Sequence, residues 1–358
     1  MTPRQIRQFN HDLLKWFHEK GRSLPWRETN NPYYIWVSEI MLQQTQVNTV
    51  IPYYNRFISR FPTLHALAEA QEESVLKSWE GLGYYSRARN LQKGVREVAE
   101  KYNGQVPDDK DKLLSIHGIG PYTAGALLSI AFSEPEPAVD GNVMRVMSRI
   151  FLIDDDIAKA KAKKEFENVV QELIAEADPR AFNQSLMDLG AMICHPKNPE
   201  CPECPVRNHC RAYDEGVQTE YPVKSGKAKP KTADYAVLLI SDSEGKILIE
   251  QRPDSGLLAG LWQFPMIGES EGGKAAVQKL AGEKIGQSVH LTKESFTHTH
   301  RFSHLVWNLS LYSGVICDPI IPGERQEWLP VSELEKRPFP VSHQKVIDWL
   351  KKNRRNDT

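Results

Sequence analysis

Four cysteines, Cys194, Cys201, Cys204 and Cys210, fall within 17 residues, and no other feature of the chain constrains its folding as tightly. They are separated by six, two and five residues, on a loop rich in proline (Pro196, Pro199, Pro202, Pro205) that follows a helical stretch. Such a loop can fold four thiolates around one centre. Structural zinc also takes four thiolates, but usually on two separated CxxC knuckles. One short pair with unequal flanking spacers suits an iron–sulfur cubane better, and one [4Fe-4S] cluster is the expected cofactor. Disulfides would need an oxidising compartment. Residues 1–20 are polar and amphipathic, without the apolar core of a secretory signal. No uncharged apolar run approaches the roughly 18 residues of a membrane span. The sequence therefore reads as cytoplasmic, with no membrane association, and the fifth cysteine, Cys317, reads as plain core.

A length of 358 residues suggests two or three domains. From about residue 2 to 212 the apolar spacing is helical, with Asn31-Pro32 as a helix start, a helix over 74–82 among the others, and glycine or proline at most junctions. Residues 214–232 lack periodicity and read as a linker. Beyond them the pattern turns to strands: 235–241, a turn at Glu244-Gly245, 246–251, 289–291, 294–301 and 305–313, with a helix over 273–285. The expected architecture is an all-α domain over 1–213, a linker, and an α+β domain over 233–358. The formal net charge of −1 gives no global field favouring nucleic acid. A local basic face suffices for phosphate, however. The cations cluster at Arg87 and Arg89, at Lys224, Lys227, Lys229 and Lys231, and over 351–355, each by default a solvated surface.

Residues 113–126 read as helix, tight turn, helix. Gly118 and Gly120 allow the turn's backbone N–H groups to approach an anion, and Pro121 suits the first position of the second helix. Such a turn grips a DNA phosphate without reading sequence. With Val139-Asp140-Gly141-Asn142-Val143 downstream and the four-cysteine loop after it, the chain resembles the helix-hairpin-helix, endonuclease III-like DNA glycosylases. Within that superfamily it is similar to the MutY-type adenine DNA glycosylases, over nearly its whole length. Further motifs carrying the resemblance are Leu24-Pro25-Trp26-Arg27, Val37-Ser38-Glu39-Ile40-Met41-Leu42-Gln43-Gln44-Thr45, Gly81-Leu82-Gly83-Tyr84-Tyr85 and Phe302-Ser303-His304.

The resemblance implies excision of adenine mispaired with 8-oxoguanine or guanine in double-stranded DNA, by a monomer acting in a bacterial cytoplasm. Lyase relatives carry a Schiff-base lysine where this chain has Tyr122, which implies a monofunctional glycosylase. Cleaving an N-glycosidic bond leaves positive charge on the sugar and negative charge on the base, so one carboxylic acid and one carboxylate are wanted. Glu39, among Ile35, Trp36, Val37, Ile40 and Met41, is placed where burial favours its neutral form. The resemblance makes it the acid that protonates adenine N7. Asp140 reads as a helix N-cap whose free oxygen can face the sugar. By resemblance it stabilises the oxocarbenium ion, with Tyr122 and Asn142 ordering it, the sugar and the attacking water. Trp26, Arg27 and Gln184 match the pocket for the flipped adenine, and Gln44, Thr45, Leu82 and Tyr84 match residues that fill the stack and touch the lesion strand.

Residues 233–349 resemble the Nudix fold. The acidic metal-binding helix of Nudix hydrolases is missing, leaving Glu283 without companions, so recognition of 8-oxoguanine through Phe302, Ser303 and His304 is expected rather than hydrolysis. The rival readings are a glycosylase/lyase for oxidised pyrimidines, disfavoured by Tyr122, and a non-catalytic DNA binder, disfavoured by the presence of both Glu39 and Asp140.

Overall fold

A computed structural model describes residues 1–226, 229–269, 273–317 and 320–354. Lys227 and Arg355, named above among the clustered cations, lie outside them. The chain divides into two compact units, Met1–Glu69 with Asn90–Gly226, and Ala70–Arg89 with Lys227–Thr358. The first half is helical: α1 (Pro3–Lys20), α2 (Pro32–Leu42), α3 (Val47–Arg60), α4 (Leu64–Glu69), α5 (Glu72–Trp79), α6 (Ser86–Lys101), α7 (Lys110–Ser115), α8 (Pro121–Phe132), α9 (Gly141–Phe151), α10 (Ala160–Ile174), α11 (Pro179–Met192) and the short α12 (Arg211–Asp214). The second half carries β1 (Lys231–Asp242), β2 (Ile247–Gln251), β3 (Trp262–Gln263), β4 (Met266–Gly268), α13 (Gly273–Ile285), β5 (Thr292–Arg301), β6 (Leu305–Ile316), β7 (Gln326–Leu329) and α14 (Val341–Arg354). Among the described residues no helix is long and apolar enough to cross a membrane.

Local sequence sets the helix ends. Asn31 caps α2 by accepting from Tyr33 N, with Pro32 in the first turn, where its missing donor is harmless. Both α2 and α8 are apolar on nearly every face, and they pack on each other as the buried centre of the first unit. Helix α9 is amphipathic instead, and its apolar side (Val143, Val146, Met147, Ile150) meets Phe166 and Val170 of α10 and Phe182, Leu186 and Leu189 of α11. At Gly125, in the middle of α8, an added Cβ would lie 2.0 Å from Pro137 O, so the irregular segment 133–139 runs against bare helix backbone. Asn183 of α11 clamps that segment, donating to Glu136 O and Ser129 Oγ (2.8 Å each) and accepting from Ala138 N at 3.1 Å.

In the second unit the sheet order is β3-β2-β1-β6-β5, with β4 on β1 and β7 on β2. It is mixed, because β1 and β6 run parallel from Lys231↔Leu305 to Asp242↔Ile316 while the other pairings are antiparallel. One face buries Val237, Leu309 and Leu311 against Val346, Ile347 and Leu350 of α14, and the other buries Leu238, Ile240 and Tyr312 against Val277, Ala281 and Ile285 of α13. Residues 70–89 belong to this unit. Glu73 of α5 accepts from Trp262 Nε1 (3.0 Å) and Arg337 Nη1 (3.1 Å), and Glu80 accepts from Phe339 N (2.8 Å).

Three sequence expectations change. The helix expected over 74–82 ends at Trp79, because Gly81, Gly83 and Tyr84 take left-handed backbone (φ 100°, 71° and 47°). Residues 289–291 are not a strand: the side chain of Gln278 bonds Val289 O and Leu291 N and anchors them as irregular chain. Cys317 is exposed just beyond β6 rather than in the core.

The Gly125 contact yields a test. Gly125→Ala forces a methyl group into Pro137 O, and overpacking of this kind destabilises by about 1–3 kcal/mol. Urea unfolding monitored by far-ultraviolet circular dichroism is expected to show that loss; an unchanged midpoint would mean that the segment has room to move.

Candidate active site

The N-terminal turns of α8 and α9, the buried face of α2 and one face of α11 enclose a cleft of about 830 Å³. Its lining includes Trp26, Arg27, Glu39, Gln44, Thr45, Tyr122, Asp140, Asn142 and Gln184. These residues come from stretches far apart in sequence. Glu39 is only 4% exposed. Burial raises its pKa to about 7; the hydrogen bond from Tyr122 and the Arg27 guanidinium pull it down, and the Asp140 charge pushes it up. Tyr122 Oη donates to Glu39 Oε2 at 2.5 Å. The phenol itself is held well above its usual pKa, by burial first and then by the two carboxyl charges, so it stays a donor.

Asp140 meets its surroundings differently. It is the N-cap of α9, with Oδ1 accepting from Val143 N at 2.8 Å, as its sequence position suggests. Its other oxygen is not free, since Oδ2 accepts from Asn142 Nδ2 at 2.9 Å. Burial raises the Asp140 pKa, while the donors of Val143 and Asn142 and the Arg145 charge oppose the rise. Of two carboxyls in one cleft, Glu39 is therefore the dry one and Asp140 the one supplied with donors. Asn142 contacts Asp140 directly, whereas the hydrogen bond from Tyr122 goes to Glu39.

Sequence reasoning missed the residues that brace this pair. Arg145, one helical turn after Asn142, donates to Asn142 Oδ1 (2.9 Å), Gly190 O (2.8 Å) and Cys194 O (2.8 Å). Arg149, a further turn along, donates to Cys194 Sγ at 3.1 Å and to His195 O at 2.8 Å. Asp188, fully buried on α11, binds Arg22 and Arg27 together. The available signal was spacing: Asn142, Arg145 and Arg149 share one face of α9, and Gln184 and Asp188 share one face of α11.

The four clustered cysteines line one small cavity with Val146, Ile150 and Leu189. Burial first, then the neighbouring thiols, push Cys204 up to about 12 and Cys210 up to about 11. Thiolates crowded in this way call for a cationic centre, and the Arg149 guanidinium supplies only part of the compensation. Among the described residues no group of three or more His, Cys, Asp or Glu is arranged to hold a metal ion. The site thus gathers four soft donors around one cavity.

The remaining sequence-selected residues lie elsewhere. Gly118 (φ 82°) and Gly120 form the exposed turn between α7 and α8, where a Cβ on Gly118 would press on Asn90 at 3.1 Å. His117 Nε2 meets Asn90 Oδ1 at 3.1 Å. In the second unit Leu82 is buried and Tyr84 is 44% exposed, its ring 5.4 Å from the Arg87 guanidinium. Arg87 also donates to Leu82 O (3.4 Å) and Gly83 O (3.2 Å). Phe302 rests on Trp307 (4.9 Å between centroids), and Ser303 and His304 are exposed at the turn from β5 to β6.

A family model described as "HhH-GPD superfamily base excision DNA repair protein" matches residues 37–172, and a NUDIX domain model matches 236–349. The chain is 35% identical to the adenine DNA glycosylase of Rattus norvegicus, over 98% of this chain and 79% of that protein. It is 34% identical to that of Homo sapiens (96% and 74%) and 31% identical to that of Buchnera aphidicola from Acyrthosiphon pisum (96% and 98%). Among solved structures it is similar to a thermostable thymine-DNA glycosylase (27% identity, TM-score 0.53, covering 60% of this chain and 99% of that one). It is also similar to endonuclease III trapped in a covalent intermediate with DNA (27%, TM-score 0.52, 61% and 99%).

The raised pKa of Glu39 has a consequence for stability. Between pH 4.5 and about 7 the folded protein keeps this proton while the unfolded chain has lost it, so the residue's contribution to stability falls as pH rises through that window. The full loss is on the order of 3 kcal/mol. Glu39→Gln, which keeps an acceptor for Tyr122, is expected to be more stable than the parent at pH 8, with the difference shrinking towards pH 4.5 in urea titrations. A pH-independent difference would contradict the buried-acid assignment.

Proposed function

The chain belongs to the adenine DNA glycosylases, enzymes of base excision repair that hydrolyse the N-glycosyl bond of adenine, and from that premise we propose that it removes adenine mispaired with 8-oxoguanine or guanine. The observation that carries this reading is the pair of carboxyls in one cleft, one dry and one supplied with donors. The adenine leaves the duplex stack at a cost of a few kcal/mol and enters the cleft beside Trp26, Arg27 and Gln184. Glu39, protonated near neutral pH, delivers its proton to N7, which lets the base depart as a neutral molecule. Tyr122 holds one Glu39 oxygen and leaves the other to carry the proton.

As the bond breaks, positive charge develops on the sugar, and Asp140 faces it as a carboxylate oriented by Val143 N and Asn142. Water then adds to the anomeric carbon, and its proton passes to the Glu39 carboxylate, which restores the acid. With Tyr122 at the hairpin position where lyase relatives carry lysine, no amine is offered there for β-elimination, and the enzyme is monofunctional.

Cys194, Cys201, Cys204 and Cys210 would hold a [4Fe-4S] cluster, whose iron binds the four thiolates and cross-links the loop. Lesion reading falls to Gln44 and Thr45 at the cleft mouth, to Leu82 and Tyr84 on their left-handed turn, and to Phe302, Ser303 and His304. The backbone of Gly118 and Gly120 grips a phosphate. The partner is double-stranded DNA, engaged by a monomer in the bacterial cytoplasm.

The test uses duplexes holding adenine opposite 8-oxoguanine, adenine opposite guanine, or thymine glycol, read for strand breaks with and without alkali. Alkali-dependent breaks at adenine alone are expected. Alkali-independent breaks at thymine glycol would indicate a lyase, and no breaks would indicate a binding protein. Asp140→Asn is expected to bind the mispair and lose about 10²–10³-fold in single-turnover release; release near the parental rate would end its assignment.

A further inference from the structure

Behind the cleft wall lies a buried carboxylate, Asp188, that the mechanism above does not use. Asp188 has no exposed side-chain surface, and its carboxylate accepts five hydrogen bonds: from Arg22 N (3.0 Å), Arg22 Nε (2.8 Å), Arg22 Nη2 (2.5 Å), Arg27 Nη1 (2.8 Å) and Arg27 Nη2 (2.8 Å). Arg27 is further fixed by donating to Arg22 O at 2.9 Å and by lying over the Phe17 ring at 5.3 Å. Both arginines line the cleft that holds Glu39. Buried ion clusters of this kind seldom add net stability relative to apolar residues of similar size, so stability alone does not account for two guanidiniums sharing one carboxylate at an active-site wall.

We propose that Asp188 is a positioning residue for base release: it aligns Arg22 and Arg27 along the cleft and cancels one of their two charges, so that Glu39 keeps the proton it must donate. This rests on the reading of Glu39 as the acid. The charged and titratable groups that line the cleft with Glu39 are Tyr122 from α8, Asp140 at the start of α9, Lys163 from α10, and Arg27 and Arg22 from the segment after α1; Tyr122, Asp140 and Arg27 act on it directly. Arg27 already favours the ionised form of Glu39. The Asp188 carboxyl is itself held below its usual range, because the bonds and charge of Arg27 and then Arg22 overcome the upward push of burial, so it is a full negative charge at neutral pH. Removing it leaves two uncompensated cations in the wall, and Glu39 then gives up its proton to solvent at lower pH.

The experiment is the pH profile of single-turnover adenine release by the full-length, cluster-loaded protein. Asp188→Asn is expected to move the alkaline limb down by roughly one pH unit, about tenfold in rate above neutrality. Arg22→Gln is expected to move it up. It alters a partly exposed residue, so it tests the charge argument even if the Asp188 variant folds poorly. The double variant Asp188→Asn/Arg22→Gln restores the net charge and is expected to return the limb towards its parental position. Rates lowered equally at every pH, or a limb that stays put in both single variants, would overturn the proposal. Glu39→Gln is the control that separates the two ideas. If it is inactive while the charge variants leave the limb unmoved, only the role of Asp188 fails; if it releases adenine at the parental rate, both fail.

Discussion

A carboxyl group withdrawn from water, bonded by a phenol, and facing a second carboxyl rich in donors is the arrangement on which the rest of the first unit depends. Glu39 can stay neutral because α2 and α8 are apolar on almost every face and close over it. Burial raises the Asp140 pKa as well, but its place as a helix cap and the amide of Asn142 favour the anion. The two conditions are physically opposed, and one cleft meets both only because the residues come from different elements, each with its own hydration. Like carboxyls in like environments would share a proton and could not divide acid and carboxylate roles.

Holding that arrangement is the work of α9 and α11. Asn183 clamps the segment that leads into Asp140, Arg145 ties Asn142 to the backbone at Gly190 and Cys194, and Arg149 reaches the Cys194 sulfur. The four-cysteine loop is thus bonded to the same helix whose first turn orients the Asp140 carboxylate. In the second unit Arg87 braces the turn of Leu82 and Tyr84 from below, and Trp307 supports Phe302.

Much of this was legible in the sequence, for identifiable reasons. Prolines in the first turn of α2 and α8, the Asn31 cap and the Asp140 cap are local signals, and local signals survive without tertiary context. The apolar surround of Glu39 could be read because burial follows composition around a helix. Bonds between distant elements could not. Nothing in the spacing of Arg22, Arg27 and Asp188 says that they meet, and the sequence pattern of 70–89 gives no hint that α5 packs with the strand-rich half. Residues 289–291 misled because a short β-prone run looks alike whether it pairs in a ladder or is tied down by one glutamine side chain. The exposure of Cys317 was missed because strand ends are the least certain part of any periodicity reading.

The state of the Glu39 proton can be observed directly, without any catalytic assay. A 13C NMR titration of glutamate side-chain carboxyls, with the Glu39 resonance assigned by its absence in Glu39→Gln, reports that group alone. Its midpoint is expected near pH 7, well above the ordinary carboxyl range. A Glu39 midpoint in that ordinary range would mean that the cleft does not keep the acid protonated, and would contradict base release driven by its proton.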